Sequence, residues 1–235
     1  MKHRLLEAFQ STFQGQPYYH RNQTISNFIA SHLYEDLLAL GRSAPLTSGV
    51  RGNRFVVNTL NLVRGRRGRR GDGTFGELIP GEEPKPETGF QVLRGPVASI
   101  LIGAEVKILA KSMIKQIDRV LNDLISQART FREQTPSAVT VGIVGVNFSD
   151  SYTSYEGDRN YPADPVPVRE APTAVDRIVH SRVPETFDEL LFMKFRATNV
   201  PPYPFQWVNQ RETAQEYAAA LVWISSNFNQ RNPGR

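Results

Sequence analysis

The tripeptide Glu105-Val106-Lys107 carries the residue types best suited to chemistry in this sequence. It lies near the end of the apolar, β-rich segment 99–109. Because side chains alternate across a strand, Glu105 and Lys107 are predicted to point to the same face. A carboxylate and an ammonium within an apolar strand are costly unless they pair or serve a ligand. The pattern therefore indicates either a structural ion pair or a catalytic site.

The segments around this tripeptide predict a mixed β-sheet flanked by helices. Strands are predicted at 90–94, 99–109 and 138–146, with a turn at Gly95-Pro96 and a long helix over 111–133. A β-turn-β-helix-β order is typical of an α/β or α+β domain.

The remaining segments predict further helices and a single domain. Helices are expected at 3–13, at 25–40 with Thr24 as cap and Gly41 at the end, at 173–180 and at 210–227. Strands are expected at 75–79 and 190–198, and the pattern at 55–63 fits a strand or a short helix. Segment 42–53 is expected to be a polar connection and 149–173 a surface loop. With no linker or repeat in view, residues 1–235 are predicted to form one domain.

A glycine-broken hairpin with E-x-K on its second strand, then a long helix and a buried strand, resembles the core of the PD-(D/E)xK nuclease superfamily, the restriction-endonuclease-like fold. The resemblance covers residues 75–147. It implies that Glu105 binds Mg²⁺, with Mn²⁺ as a substitute, and that Lys107 orients the attacking water and stabilises the developing charge. Mg²⁺ prefers hard oxygen ligands and neutralises charge on a phosphate, so this division of roles is chemically sound.

The resemblance also implies an upstream acid, and here the sequence departs from the family pattern. The aligned position holds Gln91, which offers a metal only a neutral carbonyl. Glu77 is the preferred replacement, as both metal ligand and catalytic residue. Glu87 and Asp72 are weaker candidates, and Glu35 on the N-terminal helix is another. Without a second carboxylate the chain would be a binding module on a nuclease-like core.

A run of arginines between 64 and 70 accounts for the whole formal charge excess of +5. The run, RGRRGRR, comprises Arg64, Arg66, Arg67, Arg69 and Arg70. Arginine is the preferred partner of phosphate, so this basic loop is predicted to contact nucleic acid. Lys111, after the E-x-K strand, is predicted to add a phosphate contact.

Several kinds of protein are excluded by composition and motif. The chain has no cysteine, which rules out disulfide scaffolds and thiol chemistry. It has neither a P-loop nor a G-x-S-x-G elbow, and its histidines lack metal-ligand spacing. No stretch approaches the about 18 apolar residues of a membrane span. A cytoplasmic protein without membrane contact is expected.

Three functions follow from these patterns. The first is a Mg²⁺-dependent endonuclease that hydrolyses DNA phosphodiester bonds, of restriction or defence type, with a homodimer as a further expectation. The second is a catalytically inactive nucleic-acid-binding protein on the same fold. The third is a structural or interaction protein in which Glu105 and Lys107 form only an ion pair.

Overall fold

The computed structural model describes residues 2–19, 23–63, 66–67, 72–111, 116–156, 159–162 and 167–233. The helices in these ranges are α1 (Arg4–Ser11), α2 (Gln23–Leu40), α3 (Ala44–Arg51), α4 (Ile117–Gln134), α5 (Pro167–Val179), α6 (Val183–Thr186) and α7 (Gln210–Arg231). The strands are β1 (Phe55–Val63), β2 (Arg66–Arg67), β3 (Gly73–Leu78), β4 (Arg94–Leu109), β5 (Val139–Asn147), β6 (Thr153–Glu156), β7 (Arg159–Pro162), β8 (Glu189–Ala197) and β9 (Phe205–Trp207).

One mixed sheet organises the chain, in the order β2-β1-β3-β4-β5-β8-β9. Strand β3 pairs antiparallel with β1 and with β4. Strand β5 lies between β4 and β8 and is parallel to both. The beginning of β4 also pairs with β1 through Val57 and Arg94, so the sheet curls. Strands β6 and β7 form a separate pair. The predicted mixed sheet flanked by helices is confirmed.

The two faces of the sheet are covered by different helices. On one face, Ala104, Val106 and Ile143 pack with residues of α1, α2 and α7. On the other face, Leu109 and Val144 pack with residues of α4 and α5. All nine residues of β5 are buried, as expected for a parallel strand covered on both sides.

Strand β4 is longer than predicted, and it contains the residues expected to form a turn. Gly95 and Pro96 lie within β4, and residues 90–93 form irregular backbone rather than a strand. The Pro96 carbonyl accepts from the N–H of Ile79, 3.1 Å away, and Gly95 pairs with Asn58 of β1. Pairing on both sides therefore overrides the local turn preference of Gly-Pro.

Other differences arise at helix ends and in the long connections. The predicted polar connection at 42–53 contains α3, which Ser43 caps by accepting from the Leu46 N–H at 3.2 Å. Thr24 lies inside α2 rather than capping it. The expected surface loop at 149–173 holds β6, β7 and the start of α5, and Tyr152 in it is buried. Segment 55–63 is the strand β1.

The length and apolar character of the helices determine whether one could span a membrane. Within the described ranges, no helix combines the length and the apolar character that crossing a bilayer requires.

The β3–β4 hairpin depends on the absence of a side chain at Gly76. A Cβ at this position would lie 2.0 Å from the backbone oxygen of Ser99, where the register shifts. We expect Gly76→Ala to lower the free energy of unfolding by more than about 2 kcal/mol, because a backbone atom cannot move aside cheaply. Denaturant unfolding measures this. The control Gly52→Ala, whose nearest contact would be 3.2 Å, should change stability by less than about 1 kcal/mol. Equal losses in the two variants would contradict the explanation.

Candidate functional site

Asp72 and Glu105 meet at the point where β3 begins. Gly73 pairs with Ala104, so the antiparallel register brings Asp72 level with Glu105. The carboxylate of Asp72 accepts from the N–H of Val106 at 2.9 Å, and the backbone N–H of Asp72 donates to the Glu105 carboxylate. Asp72 thus occupies the edge of β4 that β3 leaves open.

Lys107 completes a group of three charged side chains. Its Nζ lies 2.7 Å from Oε1 of Glu105, which confirms that the two side chains share a face. They alternate with Ala104 and Val106, so they lie on the α4 side of the sheet. The Glu105 side chain is 7% exposed and that of Lys107 is 30% exposed. Glu105 is therefore enclosed, while a molecule arriving from solvent can reach Lys107.

The hydrogen bonds of α2 explain why the chain reaches this position. The hydroxyl of Tyr34 donates to the carbonyl oxygen of Gly73 at 2.9 Å, and its ring stacks on Phe75 at 5.1 Å between centroids. A Cβ at Gly73 would lie 2.7 Å from Ala30, so α2 approaches the strand closely. Helix α2 therefore fixes the start of β3 and, with it, Asp72.

The electrostatics of the group are unbalanced. Burial, and after it the Asp72 carboxylate, raises the pKa of Glu105 to about 7, although Lys107 acts in the opposite direction. Burial acts to lower the pKa of Lys107, but the Glu105 carboxylate outweighs it and the net shift is upward. Asp72 and Asp123 add to the upward shift. Two carboxylates at the edge thus face one ammonium, which attracts further positive charge.

The donors at this edge fit a Mg²⁺ ion. Asp72 and Glu105 supply carboxylate oxygens, and Mg²⁺ in phosphate-processing sites uses one or two carboxylates together with water and substrate oxygens. Among the residues that the structure describes, no group of three or more His, Asp or Glu side chains is placed to hold a metal. The fit thus rests on two carboxylates.

Two residues predicted for the site lie elsewhere. Glu77 pairs with Ser99 and accepts from its hydroxyl at 2.7 Å. Ser99 lies six positions before Glu105 in β4, so Glu77 is displaced from Glu105 by about 20 Å along the strand. Gln91 is exposed in the segment before β4. The register therefore separates Glu77 from Glu105, the backbone of Gln91 is bonded to Glu35 of α2, and an acid beside Glu105 is Asp72.

Two other acids considered from the sequence have structural partners. Glu35 is buried, and its carboxylate accepts from the backbone N–H groups of Gln91 and Val92 at 3.0 and 2.8 Å and from Arg4 at 2.9 Å. Glu87 forms an ion pair with Arg94. Both carboxylates fasten the segment that leads into β4.

The basic residues are only partly described. Arg66 and Arg67 form β2, which pairs with Leu62 and Val63 of β1. The predictions for Arg64, Arg69 and Arg70 lie outside the described residues. In the sequence, Arg70 precedes Asp72 by two positions. Lys111 is exposed just beyond the end of β4, four positions after Lys107.

A cleft that was not predicted from the sequence shares Asp72 with this edge. The cleft lies between α1, α2 and the sheet, has a volume of about 740 Å³, and includes Asp72 in its wall. Burial, and after it the charge of Asp72, raises the pKa of Tyr18, so Asp72 also acts on the α1 side. Arg94, a buried cation in the same wall, was interpreted only as a strand end. The one sequence feature that marked Arg94 was its position directly before Gly95-Pro96.

Comparison of the chain with protein-family models, with curated proteins and with solved structures finds no match.

The raised pKa of Glu105 makes a prediction about stability and pH. Between 4.5, its ordinary value, and about 7, Glu105 ionises in the unfolded chain but not in the folded one, so its contribution to stability falls as pH rises. Without metal, Glu105→Gln should therefore raise the melting temperature at about pH 8 and change it little at about pH 5.

Thermal unfolding in EDTA across this pH range is the measurement. The exposed Glu82 serves as the control position. Glu82→Gln should show no pH-dependent gain. A gain for Glu105→Gln that is equal at both pH values would contradict the proposed cause.

Proposed function

We propose that this chain is a Mg²⁺-dependent endonuclease that hydrolyses DNA phosphodiester bonds. The observation that carries the proposal is the meeting of Asp72, Glu105 and Lys107 at one edge of β4. An acid at the start of one hairpin strand and E-x-K on the next is the arrangement that the resemblance to the PD-(D/E)xK superfamily implied, with Asp72 in the role first given to Glu77 and Gln91.

The three side chains divide the work of hydrolysis by charge and position. Asp72 and Glu105 would hold Mg²⁺, which supplies charge neutralisation at the phosphate and lowers the pKa of a water when bound. Lys107 has three N–H donors, and Glu105 uses one of them. The others orient the attacking water and stabilise the charge that grows on the phosphate oxygens.

The reaction is balanced without any further reagent. The water oxygen forms a bond to phosphorus, the bond from phosphorus to the leaving oxygen breaks, and one proton passes from the water to solvent while the leaving oxygen gains one. Lys107 stays protonated throughout, because the Glu105 carboxylate favours its charged form and raises its pKa despite its burial.

The arginine run supports DNA as the substrate. Five arginines in seven residues, ending two positions before Asp72, provide a charge that attracts a phosphate backbone toward this edge. A restriction or defence role against DNA in the cytoplasm, and a homodimer, complete the proposal. A homodimer would provide two sites, which cutting both strands of a duplex in one encounter requires.

The second candidate function is a nucleic-acid-binding protein without catalysis. The ion pair between Glu105 and Lys107 favours it, because Lys107 alone also provides a partner for the enclosed Glu105 carboxylate. The two candidates differ in whether Mg²⁺-dependent cleavage accompanies binding.

Plasmid cleavage tests the site directly. We expect nicking or linearisation of supercoiled plasmid mixtures in Mg²⁺ and none in EDTA. Asp72→Asn, Glu105→Gln and Lys107→Met should each lower the rate about a hundredfold or more, because each removes a group that acts on the reacting phosphate.

The matched control is Glu77→Gln, which changes an acid of the same hairpin that lies away from the edge. It should keep nearly full activity. Full loss in Glu77→Gln, or cleavage that persists in Asp72→Asn, would show that the catalytic acids are assigned wrongly. Salt-dependent DNA binding without any cleavage would favour the second candidate.

Salt dependence of DNA binding tests the basic segment. For Arg66→Gln/Arg67→Gln we expect weaker binding and a slope of log affinity against log salt that is shallower by about one to two, since each lost phosphate contact removes about 0.9. Fluorescence anisotropy at several salt concentrations measures both quantities. The control Arg51→Gln/Arg211→Gln neutralises two exposed arginines outside the run. Identical slopes in the two double variants would remove the segment from the interface.

A further inference from the structure

The cleft beside Asp72 has the size and lining of a ligand site. Its volume of about 740 Å³ lies in the usual range of about 300–1,000 Å³ for small-molecule sites. Asp72 belongs both to this cleft and to the edge where Glu105 and Lys107 lie. Asp72 is therefore the residue through which a molecule in the cleft can approach the edge.

Arg94 is an unusual group to find in the cleft wall. Its side chain is only 6% exposed, and its Nε pairs with Glu87. Its Nη1 is buried and has no hydrogen-bond partner among the described residues. A buried donor without a partner is costly, so an acceptor on a bound molecule would satisfy it.

Aromatic rings surround this guanidinium. Its Cζ lies 4.1 Å from the centroid of the Phe90 ring, and His32 faces Phe90 at 4.8 Å. Phe28 meets the same pair edge-on and is 43% exposed, and Tyr19 lines the cleft as well. Burial, followed by the charge of Arg4, lowers the pKa of His32, which favours its neutral form. The wall thus carries several aromatic rings, of which Phe28 and Tyr19 are exposed.

The charges of the wall select against an anion. Glu87 already balances Arg94, and Asp72 adds a second negative charge. A phosphate in the cleft would face two carboxylates and one guanidinium. A neutral, planar ring with hydrogen-bond acceptors instead matches both the exposed ring of Phe28 and the Arg94 N–H that has no partner among the described residues. A nucleobase is a ligand of this chemistry.

We propose that the cleft receives one nucleobase, turned out of the strand that is bound at the Asp72 edge. The inference rests on the proposed function for its nucleic-acid substrate and assigns a second, base-binding site to it. The base stacks on the exposed ring of Phe28 and accepts from Arg94. The phosphate of that nucleotide then lies toward Asp72, so the position of the base in the cleft determines which phosphodiester bond reaches the carboxylates.

Photocrosslinking tests this without any cleavage. Random-sequence DNA oligonucleotides that carry 5-iodouracil, which crosslinks to stacked aromatic rings, are irradiated with the protein in EDTA, and crosslinked peptides are mapped by mass spectrometry. We expect crosslinks at Phe28, Phe90 or Tyr19. Phe28→Ala should weaken oligonucleotide binding about tenfold, the loss that removing one stacked ring gives.

The control for this variant is Trp223→Ala. Trp223 is 45% exposed on α7, so it is also an exposed helix aromatic, but it lies outside the cleft wall. It should leave crosslinking and affinity unchanged. Arg94→Met is a second variant, used only where circular dichroism shows that it folds, and it should also weaken binding.

The outcomes separate the two proposals. Crosslinks confined to residues outside the cleft, or no crosslinks while Asp72-dependent cleavage persists, would overturn the base site and leave the nuclease proposal standing. Cleft crosslinks without cleavage in Mg²⁺ would overturn the nuclease proposal and leave a nucleobase-binding site. Crosslinking by free 5-iodouridine monophosphate but not by oligonucleotides would overturn the extruded base in favour of a free nucleotide.

Discussion

The hydrogen bond from the Val106 N–H to the Asp72 carboxylate is the constraint on which the candidate site depends. Strand β3 begins at Gly73, and β4 continues beyond it, so the backbone of β4 would otherwise present an unpaired donor at this edge. Asp72 satisfies that donor with its side chain. The same bond holds a carboxylate beside Glu105, so backbone pairing and site geometry have a single cause.

The fold stabilises a group of charges that disfavour one another. Enclosure and the Asp72 carboxylate oppose the charged form of Glu105, whereas Lys107 and the backbone N–H of Asp72 support it. The surrounding sheet compensates: β4 is paired on both sides, and α2 is bonded to the start of β3 through Tyr34. Strained electrostatics on a rigid support are typical of sites that act on a charged ligand. The ion pair alone would not require the second carboxylate.

Periodicity predicted the central elements well because burial dominates there. The E-x-K strand, the helix after it and the buried β5 all follow from apolar spacing, and the shared face of Glu105 and Lys107 follows from strand alternation. The second acid could not be predicted in this way. Asp72 approaches Glu105 through the β3–β4 register and a side-chain bond to Val106, which are long-range facts. Gln91 was aligned with the missing acid because residues 90–94 were predicted to be a strand that ends in a turn at Gly95.

The segment 79–93 is fastened at its ends and exposed in its middle. Ile79 bonds to Pro96, Lys85 pairs with Arg94, and Glu35 of α2 holds Gln91 and Val92. Between these points, Gly81, Glu82 and Glu83 are exposed, so they contribute little to the packing of the core. Substitutions or insertions there would leave the fold intact while altering the rim next to Glu87 and Phe90. Such an arrangement allows the surface beside the cleft to diversify among descendants of this chain without rebuilding its sheet.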